Sequence, residues 1–190
     1  RVRMAGAELE DIQFKNINTN LEALNRCNVL EINQDFVLKL IFENAMFKDT
    51  YIDLSNTAIR NIEANNSDLG KCFDFFSGNL IDEDQQKVNY LAIKNCYMGI
   101  SYFHGRRFHN SLDFSNSQFQ NPPEFYNSEI PHGSIFPSSQ NFYVSGSDRS
   151  IAAFRALRLQ MEEQRNRELE GEFFYLEQKS ILNNKSKSGN

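Results

Sequence analysis

Large apolar residues recur every five positions in the middle of the chain. Four consecutive units keep this period: Ile52-Asp53-Leu54-Ser55-Asn56, Thr57-Ala58-Ile59-Arg60-Asn61, Ile62-Glu63-Ala64-Asn65-Asn66 and Ser67-Asp68-Leu69-Gly70-Lys71. An amphipathic helix needs a spacing of about 3.6 residues and a plain strand needs unbroken alternation, so neither element explains the pattern. Five residues fit two steps of strand alternation and a corner, with the central residue and the one two places before it pointing inward.

The same period resumes several times after single inserted residues. Its later centres are Phe75, Leu80, Met98, Phe103, Phe108, Phe114, Phe119, Phe125, Ile130 and Ile135, with a break over the polar stretch 82–87. Four units would close a square coil of roughly twenty residues, and successive coils would stack at about 4.8 Å. The pattern predicts a mainly β repeat protein, a solenoid. The alternative is an α/β protein in which the spacing is accidental and no shaft closes.

The repeated units resemble the A-(D/N)-L-x-x pattern of the pentapeptide-repeat proteins. The closest matches are Asp53-Leu54, Asp68-Leu69, Asn79-Leu80 and Asp113-Phe114. The resemblance is clearest over residues 50–136 and weaker over 7–49, where Ala7-Glu8-Leu9 and Ile12-Gln13-Phe14 begin a similar count. It implies a right-handed quadrilateral β-helix over residues 1–146. Ala64 at a centre and the aromatic cluster 73–76 depart from the pattern and leave the register open.

The composition changes at Ser147, where Gly and Asn give way to Glu, Arg, Gln and Leu. Ser147 or Asp148 is placed to cap a helix, and a stripe at helical spacing follows. We expect one long bent helix or a hairpin of two over 147–182, with Gly171 bending it or allowing close packing. The polar tail 183–190 is predicted to be disordered.

Six apolar residues define the inner stripe of these predicted helices: Phe154, Leu157, Met161, Leu169, Phe173 and Leu176. One interpretation is that they only cap the open end of the repeat region, whose last rung would otherwise expose core and unpaired backbone. The other is that they form a surface for a protein partner or for self-association. The sequence leaves both interpretations open.

The net charge and the absence of known motifs exclude several classes of binding and catalysis. The net charge of −5 argues against direct nucleic-acid binding, which needs a basic face. Cys27, Cys72 and Cys96 have no zinc or disulfide spacing and are expected to be buried thiols in a reducing compartment. His104, His109 and His132 are expected at the surface or at corners. No nucleophile signature or phosphate-binding motif is present, so we expect no enzyme activity, no cofactor and no metal.

These observations favour a non-catalytic protein-interaction or scaffolding module. The alternative is a regulator that imitates duplex DNA toward a type II topoisomerase, as the resemblance allows, although the acidic residues here are scattered. An enzyme of unrecognised type is a third hypothesis.

The chain is expected in the cytoplasm, because it contains no run of 18 apolar residues and no signal peptide. The segment 153–177 is similar to the helical tail of many bacterial pentapeptide-repeat proteins, which in some leads into membrane-spanning helices. A downstream span in a longer, membrane-anchored protein is therefore a further expectation, consistent with a chain that opens without Met.

Overall fold

The computed structural model describes residues 2–6, 9–15, 28–34, 36–55, 57–78, 80 and 82–188. The strands are β1 Val2–Gly6, β2 Leu9–Lys15, β3 Asn28–Gln34, β4 Phe36–Glu43, β5 Thr50–Asp53, β6 Ala58–Asn65, β7 Cys72–Asp74, β8 Lys87–Val88, β9 Tyr90–Lys94, β10 Tyr97–Met98, β11 Ile100–Tyr102, β12 Arg107–Phe108 and β13 Gln118–Phe119. The helices are α1 Glu83–Gln86, α2 Asp148–Glu163 and α3 Arg167–Ser188, with a short 3-10 turn at Ser139–Asn141.

All pairings between these strands are parallel. The strand order is β1-β3-β5-β7-β11 in one sheet and β2-β4-β6-β9 in a second, while β10-β13 and β12-β8 form two-stranded pairs. In the first sheet Leu30, Ile52 and Phe73 lie side by side on successive strands. Parallel neighbours with apolar residues at matching positions bury a column of side chains, which is why one periodic sequence builds these sheets.

The predicted single β-helix over residues 1–146 is wrong. The described strands fall into four separate parallel sheets of five, four, two and two strands and do not form one long solenoid. After Phe119 no described residue lies in a strand, and parallel contact there is reduced to single bridges such as Asp113 with Ile135 and Phe119 with Phe142. The five-residue period specifies which side chains face inward, but two-residue segments between corners are too short to sustain a ladder on every side.

Asparagine supplies many of the corners. Asn44, Asn66, Asn95, Asn116 and Asn127 all have positive φ angles of 49° to 56°. Among residues other than glycine, asparagine adopts this left-handed conformation with the least penalty, because its side chain can hydrogen-bond locally. These turns account for five of the 23 asparagines of the chain.

The core follows the predicted alternation over residues 52–69. Ile52 and Leu54 are both fully buried, as are Thr57 and Ile59. Phenylalanine rings continue this core toward the C-terminus, with Phe103 stacked on Phe125 at 4.9 Å and Phe119 on Phe142 at 5.2 Å between ring centroids. One hydrophobic cluster extends from Ile12 to Leu176, so the strands and the C-terminal helices share a single core.

The C-terminal segment is a hairpin of two helices, the second of the two predicted alternatives. Ser147 caps α2 by accepting a 3.2 Å hydrogen bond from the backbone N–H of Ser150. Between the helices Arg165 takes a positive φ of 57°, which reverses the chain. α3 continues through Gly171, and no neighbour packs against this position, because a Cβ placed there would have no atom within 4 Å. The prediction of close packing at Gly171 is therefore wrong.

The helical segment also ends later than predicted. α3 continues to Ser188, past the predicted boundary at 182. Asn183 donates from its side-chain amide to the carbonyl of Val144 at 2.9 Å, and Asn184 donates to Asp148 Oδ1 at 2.8 Å. These contacts hold residues that the sequence assigned to a disordered tail. Residues 189–190 lie outside the described residues, as do Ala7, Glu8, Cys27 and Asn79 of the sequence analysis.

Candidate interaction surfaces

The six apolar residues proposed as a partner surface lie inside the protein. Phe154, Leu157, Met161, Phe173 and Leu176 are at most 1% exposed, and Leu169 is partly buried against the same core. Phe173 packs edge-on against Phe136 at 5.3 Å, and Phe154 packs against Phe142 at 5.9 Å. The partner-surface prediction for these six residues is therefore wrong, because they already pack into the core that the strand region forms.

The hairpin instead exposes a different apolar set to solvent. This exposed hairpin surface consists of Leu159 on α2 and Phe174, Tyr175 and Leu182 on α3. Phe174 is 51% exposed and Tyr175 is 54% exposed, although both follow the buried Phe173 directly. Tyr175 and Leu182 lie on the same side of α3, because they are about two helical turns apart. The spacing of apolar residues in the sequence does not reveal which of the two sets a neighbour covers.

Two arginines of α2 bind a single carboxylate of α3 and so hold the two helices of the hairpin together. Arg155 Nε lies 2.7 Å from Glu177 Oε1, and Arg158 Nε lies 2.9 Å from Glu177 Oε2. Glu177 is only 3% exposed. A buried carboxylate needs this compensation, since an unpaired charge in the interior is costly. The pairing fixes the orientation of α3 and hence of its exposed aromatic residues.

A second charged cluster ties the start of α2 to the strand region. Arg149 donates from Nε to Glu124 Oε1, and its guanidinium carbon lies 4.8 Å from the ring centre of Tyr102. His104 Nε2 approaches the other oxygen of Glu124 at 3.4 Å. Burial acts to raise the pKa of Glu124, but the neighbouring His104 and Arg149 outweigh it, so the net pKa is lowered. Glu124 is therefore an ionised latch between α2 and the strands.

The adjacent arginines Arg106 and Arg107 lie in different environments, one in the core and one at the surface. Arg106 is fully buried, whereas Arg107 is exposed and forms a two-pronged ion pair with Glu83 at 2.8 and 2.9 Å. The guanidinium of Arg106 donates to the carbonyls of Leu54, Thr57, Phe75 and Phe76 at 2.9–3.1 Å. Four converging turn carbonyls explain why a charged residue is interior here, and the sequence carried no signal for them.

The described residues contain no arrangement suited to catalysis by a thiol or a metal. Burial raises the pKa of the Cys72 thiol to about 12 and that of Cys96 to about 11, which disfavours a nucleophilic thiolate. No group of three potential metal ligands comes together in the part of the chain that the structure describes. His109 and His132 are exposed and line two neighbouring open clefts of about 570 and 530 Å³. Cys27 lies outside the described residues.

The carboxylates on the β2-β4-β6-β9 sheet do not form an acidic row. Glu63 lies 2.9 Å from Lys39, and Asp113, which bridges to β9, lies 2.7 Å from Lys94. The ammonium groups offset the negative charge along this surface. This pairing weighs against imitation of duplex DNA, which requires uncompensated charge at regular spacing.

Comparison with known proteins gives no relative. No family model, no curated protein and no solved structure matches the chain. The resemblance to pentapeptide-repeat proteins stays a prediction drawn from residues 50–136. Among the described residues no helix is both long and apolar enough to cross a membrane.

Proposed function

We propose that the protein is a non-catalytic interaction or scaffolding module that recruits a protein partner, or a second copy of itself, through its C-terminal hairpin. The observation that carries the proposal is the adjacent pair Phe174 and Tyr175, both about half exposed, on a helix that buries Phe173 and Leu176 in the core. Aromatic side chains are enriched in protein interfaces and at the residues that dominate binding energy. The recruiting residues are therefore the outward set and not the six predicted ones.

The rigidity of the hairpin supports the same proposal. The ion pairs of Glu177 hold α3 against α2, and Arg149 holds α2 against the strand region. Surface side chains on a fixed scaffold lose less conformational entropy on binding than side chains on a mobile loop. The charged residues around the apolar set carry both signs, including Arg167 and Glu170 at 2.6 Å. A surface with both signs suits a polar interface rim.

Site-specific photocrosslinking in the native cell tests this proposal. A benzoylphenylalanine residue replaces Phe174 in the full chain, and a matched control carries the same residue at Tyr90, which is 38% exposed on β9, outside the hairpin. We expect position 174 to capture one defined protein, identified by mass spectrometry, and position 90 not to capture it. A Tyr175→Ser change should then weaken the captured association. Capture that is absent at position 174, or equal at both positions, would contradict the proposal.

A further inference from the structure

A second exposed surface lies on the strand region, around β10 and β13. Tyr97 pairs in parallel with Gln118. Gln120 N–H donates to Met98 O, and Tyr143 N–H donates to Phe119 O, each at 2.8 Å, so Gln120 and Tyr143 lie next to this pair. Side chains alternate along each strand, so these four point out while Met98 and Phe119 point into the core. With Gln140 and Asn141 they form what we name the tyrosine-amide face.

This face carries two shallow neighbouring clefts that meet at Tyr97 and Gln118. Their volumes are about 320 and 380 Å³. Tyr97 is 38% exposed and Tyr143 is 58% exposed, and the Tyr97 hydroxyl lies 3.5 Å from Gln120 Oε1. Both rings are therefore accessible on the same surface, with amide groups between them.

The lining of the clefts is almost free of charge. The first cleft is lined only by tyrosine, phenylalanine, glutamine and asparagine. The second contains one charged residue, Asp68, whose Oδ1 accepts a 2.8 Å hydrogen bond from the backbone of Gly70. Amides also meet directly at the edge of this cleft, where Asn116 Nδ2 lies 3.2 Å from Asn95 Oδ1. An ionic ligand would find no countercharge along most of the face, so its chemistry favours an uncharged ligand.

The residue types indicate what kind of uncharged ligand fits. A side-chain amide presents a donor and an acceptor side by side, which matches adjacent hydroxyl groups. A tyrosine ring offers an apolar face with a polar tip, and so can lie against the C–H face of a sugar ring while its hydroxyl bonds to a neighbouring group. The open clefts suit a chain lying across the surface better than an enclosed small molecule. The rungs recur at about 4.8 Å, close to the length of one sugar ring.

We propose that the tyrosine-amide face binds an uncharged, linear polysaccharide. Tyr97 and Tyr143 stack on sugar rings, and Gln118 and Gln120 bond to the hydroxyl groups between them. The charge pattern makes this face distinct from the exposed hairpin surface, where charges of both signs surround the aromatic residues. Binding at this face is independent of the hairpin, so either proposal can fail without the other.

Affinity electrophoresis of the full chain tests this site. Native gels contain a soluble neutral polysaccharide, xyloglucan in one series and glucomannan in another, and the retardation of the protein gives its affinity. The variants are Tyr97→Ala, Gln120→Ala and the control Tyr90→Ala. Tyr90 is as exposed as Tyr97, at 38%, but lies on β9 in a different sheet. Circular dichroism of each variant confirms that it is folded.

We expect at least one of the two polysaccharides to retard the wild-type chain and the Tyr90→Ala control equally. Loss of one stacking ring should weaken binding about tenfold in Tyr97→Ala, and Gln120→Ala should weaken it less. Two results would overturn the proposal: no retardation of the wild-type chain by either polysaccharide, or equal retardation of wild type and Tyr97→Ala.

Discussion

The guanidinium of Arg106 lies over the ring of Phe75, with 3.9 Å between its central carbon and the ring centroid. The same group donates hydrogen bonds to four backbone carbonyls, and no part of the side chain reaches solvent. Burial lowers the pKa of Arg106 to about 9, which still leaves the group charged at neutral pH. A single buried cation therefore supplies hydrogen-bond donors to carbonyls in two turns, at residues 54–57 and 75–76.

Replacement of Arg106 by methionine should destabilise the protein strongly. Methionine fills part of the volume but removes the guanidinium donors from four carbonyls, of which that of Leu54 keeps the Thr57 N–H as a donor, so we expect a loss of roughly 3 kcal/mol in the free energy of unfolding. Urea denaturation measures the loss. Arg107→Met is the matched control and should change stability by less than about 1 kcal/mol, because its ion pair with Glu83 is exposed. Equal effects of the two changes would refute this role for Arg106.

Two glycines should respond to alanine in opposite directions. At Gly171 in α3 an added Cβ meets nothing, so Gly171→Ala should stabilise the protein by about 0.5–1 kcal/mol through helix propensity. At Gly99 an added Cβ would lie 2.2 Å from the carbonyl oxygen of Lys71, so Gly99→Ala should destabilise by about 1–3 kcal/mol. Thermal unfolding of both variants checks the signs, and a stabilised Gly99→Ala would contradict the packing described here.

The latch at Glu124 should make stability depend on acid pH. Because its pKa in the folded state is lowered, ionised Glu124 contributes stability above its unfolded pKa, and this contribution is lost as pH falls through the folded pKa. The stability advantage of wild type over Glu124→Gln should therefore shrink between neutral pH and about pH 3. Urea titrations at several pH values measure it. The exposed Glu129→Gln serves as control, and an advantage that grows on acidification would exclude the latch.

Adjacent phenylalanines on α3 should differ sharply in their contribution to stability. Phe173 is 1% exposed and packs against Phe136 and Phe142, so Phe173→Ala should cost about 3–5 kcal/mol. Phe174 is half exposed, and Phe174→Ala should change stability by less than about 0.5 kcal/mol. Chemical denaturation of the two variants gives both values. Similar losses would mean that the hairpin does not close the core as described.

The sequence predicted inward-facing residues well where the five-residue period was unbroken. Ile52, Leu54, Thr57 and Ile59 are all buried, and Ser147 caps α2 as the composition change indicated. Those assignments depend only on local alternation and on capping chemistry, both of which act over a few residues.

Prediction failed where one inserted residue changed the register. Ile135 was assigned to the core but is 50% exposed, and Phe136 is buried in its place. Ser134 is buried beside it, accepting from Leu112 N–H at 2.9 Å and donating to Pro131 O at 2.7 Å. A shift of one residue turns every following side chain to the opposite face, and no residue type marks where the shift occurs.

Long-range contacts account for the other differences. The pattern around Phe173 and Phe174 indicates an amphipathic helix but does not show that Phe136 and Phe142 cover Phe173. The burial of Arg106 could not be predicted for the same reason, since the four carbonyls around it come from distant turns. The continuous β-helix was overpredicted, because periodic burial does not require a hydrogen-bonded ladder on every side.

The central claim is that α3 closes the core with one face and recruits a protein with the other. The most direct measurement compares the Phe174→Ser, Tyr175→Ser double variant with wild type. A sedimentation-velocity titration measures the affinity of each for the partner identified by crosslinking, or for a second copy of the chain, and urea unfolding measures the stability of each. We predict an affinity at least about tenfold weaker and an almost unchanged free energy of unfolding. An affinity equal to that of wild type would contradict the claim.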